Sequence, residues 1–342
     1  VTEWNHAQAE KWSDRYWLAL DTATANMCIA VMKGMQTLAA NESTVERNHS
    51  VRLVPEIQAL LKRTGLGMRD LSAIAVGRGP GSYTGVRIGV TVGKTLAWSL
   101  QMPLVSVSSI GALAFGYVRG EGVGTSGARA KDSERIWLVP MLDARRKQVY
   151  TALYEWLQGQ AGEGLQSEET DRSDTSRSSD VEAKLEYPGN SLGNVHEGSA
   201  HGSAQEGNVE EGYAQEGDAQ ETLRFAAEDV NGVWRPLARD QIVLFSDWVE
   251  QLAQRIAQLP EEKRPHRVVF VGEVEGFREE AERSGARLGV PVLAKEQVVH
   301  GTDLAWLAWE RLIRGQYENI HAVVPNYTQL AEAEQKLLAR QK

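Results

Sequence analysis

Apolar positions along the chain follow strand-like and helix-like spacings, and these alternate in an order that occurs twice. "YWLALDTA" (residues 16–23) and "MCIAVMKG" (residues 27–34) are apolar runs of strand length, which predict a hairpin with Asp21 and Asn26 at its turn end. "HSVRLVPEIQALLKRTG" carries apolar residues at 53, 54, 57, 60 and 61 and stops at a glycine, the spacing of an amphipathic helix. "LSAIAVGRGPGS" reads as a strand entering a Gly-Pro turn, followed by a helix, the strand "PLVSV" and a further helix from Ser108. The order then recurs. "RIWLVPMLDARRKQVYTALYEW" is strand, polar turn and strand, "FSDWVEQLAQRIAQL" is a helix, "RVVFVGEV" is a buried strand, and "GTDLAWLAWERLIRG" is an amphipathic helix with a glycine stop. Each half opens with an Asp-bearing hairpin and continues as strand–helix units. This predicts an α/β protein of duplicated architecture, residues 16–135 and 136–342, behind an N-terminal extension, residues 1–15.

Residues 158–232 break the pattern. "SEETDRSDTSRSSD" is a polar tract and "NVHEGSAHGSAQEGNVEEGYAQEGDAQE" a degenerate Glu-Gly, Ala-Gln-Glu repeat. Such composition buries too little apolar surface to offset chain entropy, which predicts a disordered acidic insertion in a surface loop. Between Leu157 and Gly232 there are 17 acidic and 4 basic residues, a net of -13; with the whole chain at -9, the remainder carries +4. The predicted folded part is therefore mildly basic, and contact with RNA is permitted but not indicated by charge alone.

At 342 residues with 42% hydrophobic and 24% charged content, the chain has the composition of a soluble protein with a sizeable core. No apolar run reaches the roughly 18 to 20 residues of a spanning helix, and "VTEWNHAQAEKWSDRYW" lacks the pattern of a signal peptide. The expected compartment is the cytoplasm. The single cysteine, Cys28, excludes an internal disulfide and the clustered zinc spacings, and is expected as a small buried apolar residue.

The densest motif is "AVGRGPGSYTGVRIGVTVGKTLAW", residues 75–98. Gly79 and Gly81 around Pro80 permit a turn closed to other residues, and the following helix N-terminus would offer N–H groups to a phosphate. Past the turn, Gly85, Gly89, Gly93 and Ala97 fall four apart on one helical stripe. Glycine within a helix costs about 1 kcal/mol relative to alanine, so the stripe needs an offsetting gain in close packing. The neighbour is either the protein's own helix or sheet, or a helix of another chain.

"LALDTAT", "ERNHSVRLVPEIQALL", "AVGRGPGSYTGVRIGVTVGKTLA", "PLVSVSSIGALA", "MLDARRKQVY" and "VPNYTQLAEAEQK" together resemble the TsaB (YeaZ) family. It lies within the superfamily of actin, heat-shock ATPases and sugar kinases, where ATP sits between two related ribonuclease H-like domains. The resemblance implies a non-catalytic partner of TsaD. TsaD places threonylcarbamoyl on the adenosine beside the anticodon of tRNAs reading codons that start with A, and the ATPase TsaE joins them. It also implies a homodimer when TsaD is absent and contact with tRNA only through the complex. The implied partner surface lies on the helix after the glycine turn and on the "HSVRLVPEIQALL" helix, at His49, Leu53, Ile57, Tyr83, Gly85, Arg87, Gly89, Val92, Gly93 and Leu96.

The resemblance further implies that TsaD-like enzymes hold a metal with an HxxxH pair after the strand equivalent to "PLVSV", plus a late Asp. Ser109 and Leu113 stand in the histidine places, and Asp303 in the late one. A lone carboxylate is a poor divalent-metal site, so no metal is expected. The superfamily's nucleotide loops fall at Asp21, Thr22, Gly79, Gly81, Asp143 and Gly272 and read as relics. Ala23 narrows the first hairpin where glycine is usual, Asp143 stands beside Arg145, and Gly272 is followed by Glu273, whose charge repels phosphate. No cofactor is expected, and ATP binding by this chain alone is not. His49 has no second His or Cys at ligand spacing and reads as a helix-start residue, with Asn48 or Ser50 as its cap. Two alternatives stay open, an ATP-dependent kinase or transferase of the same fold and a metallopeptidase-like protein.

Overall fold

The computed structural model describes residues 2–44, 49–120, 134–159, 222–226 and 230–328. Helix α1 (Thr2–Ser13) precedes β1 (Tyr16–Asp21) and β2 (Asn26–Lys33), which pair antiparallel with Leu20 facing Ile29 and Asp21 facing Cys28. Strand β3 (Gln36–Thr44) adds an antiparallel edge to β2, and α2 (His49–Arg63) follows. Then come β4 (Leu71–Gly77), α3 (Tyr83–Ser99), β5 (Leu104–Val107) and α4 (Ser109–Gly120). The first sheet has the order β3-β2-β1-β4-β5, with β4 parallel to both β1 and β5.

The second sheet contains β6 (Arg135–Asp143), β7 (Gln148–Gln158), β8 (Leu223–Ala226) and β9 (Asn231–Leu244). After α5 (Phe245–Ala257) the chain continues through β10 (Arg267–Gly272), α6 (Arg278–Arg283), α7 (Gly285–Leu288), β11 (Val292–Glu296) and α8 (Gly301–Ile313). Its order is β11-β10-β6-β7-β9-β8, with β10 parallel to β6 and β11 and the other pairs antiparallel. Residues Val1–Gly162 and Gln220–Lys342 make up one compact unit, and the other unit, Glu163–Ala219, falls outside the described residues.

Alternation along β1 sets the layers. Leu18 and Leu20 face the cluster built with α2 and α3, while Trp17 and Ala19 face the cluster built with α4 and α8. Both faces are covered, which is why β1 reads as a continuous apolar run. No helix among the described residues is long and apolar enough to cross a membrane.

Two sequence expectations change here. Residues 158–232 were read as one disordered insertion, yet Gln158 ends β7, and β8 and the start of β9 lie inside that range. Leu223, Phe225 and Trp234 supply the apolar area that the neighbouring Glu-Gly tract lacks, and Phe115 packs its ring 4.7 Å from Phe225 and 5.4 Å from Trp234. The rest of the acidic tract, residues 160–221 and 227–229, lies outside the described residues. The N-terminal extension forms α1, whose Trp12 enters the core cluster of α4 and α8.

Candidate functional site

The glycine turn folds back onto the first hairpin. Gly79 has φ +90°, and the Gly79–Pro80 bond is cis. A Cβ at Gly81 would overlap the Ala23 carbonyl, to which the Ser82 N–H donates at 2.7 Å. The Gly79 N–H donates to Ser109 Oγ at 2.9 Å, and the Gly85 N–H to Ser82 Oγ at 3.3 Å. Three amides of the turn, those of Gly79, Ser82 and Gly85, are thus taken up by the protein's own acceptors.

The stripe on α3 faces the first sheet. Gly85, Gly89 and Gly93 are buried, and a Cβ on each would meet the Thr22 carbonyl, Thr22 Oγ1 and Val76 Cγ1 respectively. Thr22 Oγ1 also donates to the Gly85 carbonyl at 2.6 Å, a side-chain bridge possible only where the helix sits close to β1. This corrects the placement of Gly85, Gly89 and Gly93 at a partner surface, because the close packing they allow is internal. Leu53 and Ile57 of α2 need the same correction. Both are fully buried in the cluster beneath α2 and α3, the inward face of an amphipathic helix.

Beside the turn lies a buried polar knot. Asp21 is fully buried, accepts the Ala23 N–H at 2.6 Å through Oδ1 and the Ser109 hydroxyl through Oδ2. Burial pushes its pKa up to about 6, against the lowering effects of the Ser109 and Ala23 hydrogen bonds and the His49 charge. His49 is half-buried, with Nε2 3.3 Å from the Ala25 carbonyl. Asn48 lies outside the described residues.

A cleft of about 710 Å³ opens over this hairpin, lined among others by His49, Tyr83, Asp143, Arg145, Tyr150 and Glu273. Glu273 accepts the Asp143 N–H at 2.8 Å, and burial raises its pKa. Arg145 Nη1 lies 3.7 Å from Asp143 Oδ2. At Gly272, φ is +124°, and the space a side chain would need is filled by the Met141 carbonyl and by Leu113 Cδ2, which would stand 2.6 Å from a Cβ. The side of Gly272 on which a Cβ would stand is therefore packed by the chain itself. Arg145, Arg146 and Lys147, in the turn between β6 and β7, hold φ of 69°, 53° and 63°. Each left-handed residue of this kind costs roughly 1 to 2 kcal/mol.

The family model described as "TsaD: tRNA N6-adenosine threonylcarbamoyltransferase" matches residues 41–172. The tRNA threonylcarbamoyladenosine biosynthesis protein TsaB of Bacillus subtilis is 28% identical over 326 residues, covering 95% of this chain and 99% of that protein. The chain is similar to TsaB/YeaZ proteins along nearly its whole length. TsaB of Escherichia coli is 35% identical over 138 residues, 40% of this chain and 54% of that protein, so this alignment spans about half of that relative. The crystal structure of YeaZ from Pseudomonas aeruginosa superposes with a TM-score of 0.53 at 20% identity, covering 92% of this chain and 99% of that one, and shows that the fold is shared.

The places that the resemblance gives to the metal of TsaD-like enzymes do not fit a metal ion in this chain. The Ser109 hydroxyl is bonded to Asp21 and to the Gly79 amide, Leu113 has no donor atom, and Asp303 is paired with Arg119 at 2.5 Å. Burial raises the Asp303 pKa against the lowering effect of Arg119. Among the described residues no group of three or more His, Cys, Asp or Glu is arranged to hold a metal. Cys28 is buried, and burial holds its thiol well above the usual range.

The outer faces of α2 and α3 remain available. Tyr83 and Arg87 are exposed and joined, Arg87 Nη1 donating to the Tyr83 hydroxyl at 3.0 Å with the guanidinium over the ring. Val92 and Leu96 are half-buried along the same helix. Two residues absent from the sequence expectation join them, Val51 at 72% exposure and Val54 at 36%. Val54 was counted with the apolar stripe at 53, 54, 57, 60 and 61 and the structure turns it outward, while Val51, outside that stripe, was the signal the sequence offered.

Proposed function

We infer that this chain is the non-catalytic partner of TsaD in forming threonylcarbamoyladenosine on tRNA. The match across nearly the whole of a TsaB relative carries the reading. The chemistry of Ser109, Leu113 and Asp303, bonded among the protein's own groups where the transferase would need ligands, supports it. The adenosine below the anticodon of tRNAs reading A-starting codons is the modified base, TsaE is the third component, and a homodimer forms when TsaD is absent. Function is exercised in the cytoplasm, with no cofactor held by this chain. A kinase of the same fold would need free amides in the glycine turn, and three of them, at Gly79, Ser82 and Gly85, are bonded within the protein.

The two sheets are duplicated halves with a boundary near residue 135. Support comes from strand order, since β9-β7-β6-β10-β11 repeats the pairing directions of β3-β2-β1-β4-β5. The partner surface is the outer ridge of α2 and α3, Val51, Val54, Tyr83, Arg87, Val92 and Leu96 with His49 at its end, in place of the buried glycines, Leu53 and Ile57.

The test is reconstitution with TsaD and TsaE from the same organism, omitting each protein in turn and following tRNA modification. Modification should require this chain together with TsaD; full modification in its absence would reject the reading. Val54→Asp with Arg87→Glu should weaken TsaD binding at least about tenfold while the melting temperature stays near the parent's, because both side chains are solvent-facing. Unchanged affinity by calorimetry would place the interface elsewhere. Removing residues 160–221 and joining the ends with a short linker should leave stability and TsaD binding unchanged, since flexible loop length is thermodynamically cheap. An insoluble product, or one that has lost TsaD, would make the segment structural.

A further inference from the structure

The turn between β6 and β7 is built against backbone preference. Arg145, Arg146 and Lys147 are three consecutive non-glycine residues at positive φ, a region where glycine or asparagine sits with less strain. Hydrogen bonds pin the geometry, from the Ala144 N–H to the Gln148 carbonyl at 3.0 Å, from Gln148 N–H to the Arg145 carbonyl at 2.9 Å, and from Phe245 N–H to the Lys147 carbonyl at 3.0 Å. A sequence suited to this turn alone would carry glycine or asparagine here. All three side chains are exposed. Arg145 is answered by Asp143, but among the described residues Arg146 and Lys147 have no carboxylate partner.

The turn holds its cations on one short arc, three Cα atoms within about 8 Å of backbone. An isolated phosphate calls for donors that converge on a point. Charges carried side by side on an exposed arc suit a ligand whose own charges repeat, a phosphodiester backbone. Arg145 also lines the cleft mouth that holds Tyr83 and Tyr150, aromatic rings of the kind that accompany cations on single-stranded nucleic-acid surfaces.

We propose that the Arg145–Lys147 turn contacts the phosphodiester backbone of the tRNA directly, so that this chain touches the RNA as well as TsaD. The inference rests on the function proposed above and departs from it in one respect, since there the RNA is reached only through the complex.

The experiment titrates labelled, unmodified tRNA with the complex of this chain and TsaD over a range of salt concentrations, for the parent and two double variants. Arg146→Gln with Lys147→Gln keeps the side-chain bulk and removes both charges. It should weaken tRNA binding about tenfold at low salt and reduce the slope of log K against log salt by about 1 to 2, with TsaD affinity and melting temperature unchanged. Arg146→Gly with Lys147→Gly should lose the same affinity while melting at or above the parent's temperature, because the strain is relieved. Unchanged tRNA affinity and slope in the glutamine pair would overturn the proposal. So would loss of TsaD or TsaE binding in place of tRNA binding, which would make the turn a protein contact. Failure of the parent chain to join TsaD would strike the proposed function instead, and the same tRNA titration with this chain alone then decides the inference, an identical parent and glutamine pair rejecting it.

Discussion

Gly89→Leu is expected to lower the melting temperature of the isolated chain by roughly 5 to 10 °C, from overpacking of about 1 to 3 kcal/mol or slightly more at about 2 to 4 °C per kcal/mol. A Cβ at Gly89 would stand 2.5 Å from Thr22 Oγ1 and 3.6 Å from Leu20 Cδ1. The rest of a leucine side chain must then displace Thr22, which breaks its 2.6 Å bond to the Gly85 carbonyl and lifts α3 from β1. Helix propensity acts in the opposite direction, but its gain of about 1 kcal/mol is smaller. Gly93→Leu should behave alike, since its Cβ would overlap Val76 Cγ1. Thr91→Leu on the exposed ridge should change stability by less than about 0.5 kcal/mol. Thermal unfolding of dilute protein separates these outcomes. A Gly89→Leu chain that melts with the parent yet no longer binds TsaD would return the stripe to the partner surface.

That stripe shows where the sequence was legible and where it stopped. Period-four glycines state that something approaches the helix closely, and this is a property of the chain alone. Which neighbour approaches depends on Thr22, 63 residues before Gly85, and on Val76 of the preceding strand, and the pairing of β1 with β4 is what brings Thr22 under the helix. The main strands and helices were readable because their apolar runs are long and bounded by glycine or polar turns. Strands β8 and β9 were missed because Leu223, Phe225 and Trp234 sit next to a low-complexity tract whose composition dominates any window that contains them. At the loops read as nucleotide relics, Ala23 and Glu273 were visible directly in the sequence, as were Ser109 and Leu113 in the places read for a metal. The structure adds the contacts made there, a Ser82 amide on the Ala23 carbonyl and a Leu113 methyl against Gly272. The strain at Arg145, Arg146 and Lys147 had no sequence signal, because basic residues in a polar turn are unremarkable until their φ values are known.

Asp21→Asn is expected to stabilise the chain at pH 7 by about 1 to 3 kcal/mol, an upper limit set by a folded pKa of about 6 against 3.8 for the free side chain. The sign follows from proton counts. Between pH 3.8 and 6 the folded state holds a proton on Asp21 that the unfolded state has released, so parent stability should rise as pH falls from 7 through 6 and level off below about 4. Asp303, whose pKa is also raised by burial, adds to the same slope and should leave a remnant of it in the variant. The asparagine keeps an acceptor for the Ala23 amide at 2.6 Å and presents its amide to the Ser109 oxygen, so shape and hydrogen bonding are nearly conserved while the buried charge disappears. Urea unfolding at pH 7, 6, 5 and 4.5 reads both effects. Parent stability that falls on acidification through this window, or an asparagine variant weaker than the parent at pH 7, would mean that the ionised carboxylate is a stabilising contact. The expected result makes Asp21 a charge retained at a cost to folding, at the hairpin whose Ala23 carbonyl and Thr22 side chain hold the glycine turn and α3 in place, directly beneath the helix face assigned to TsaD.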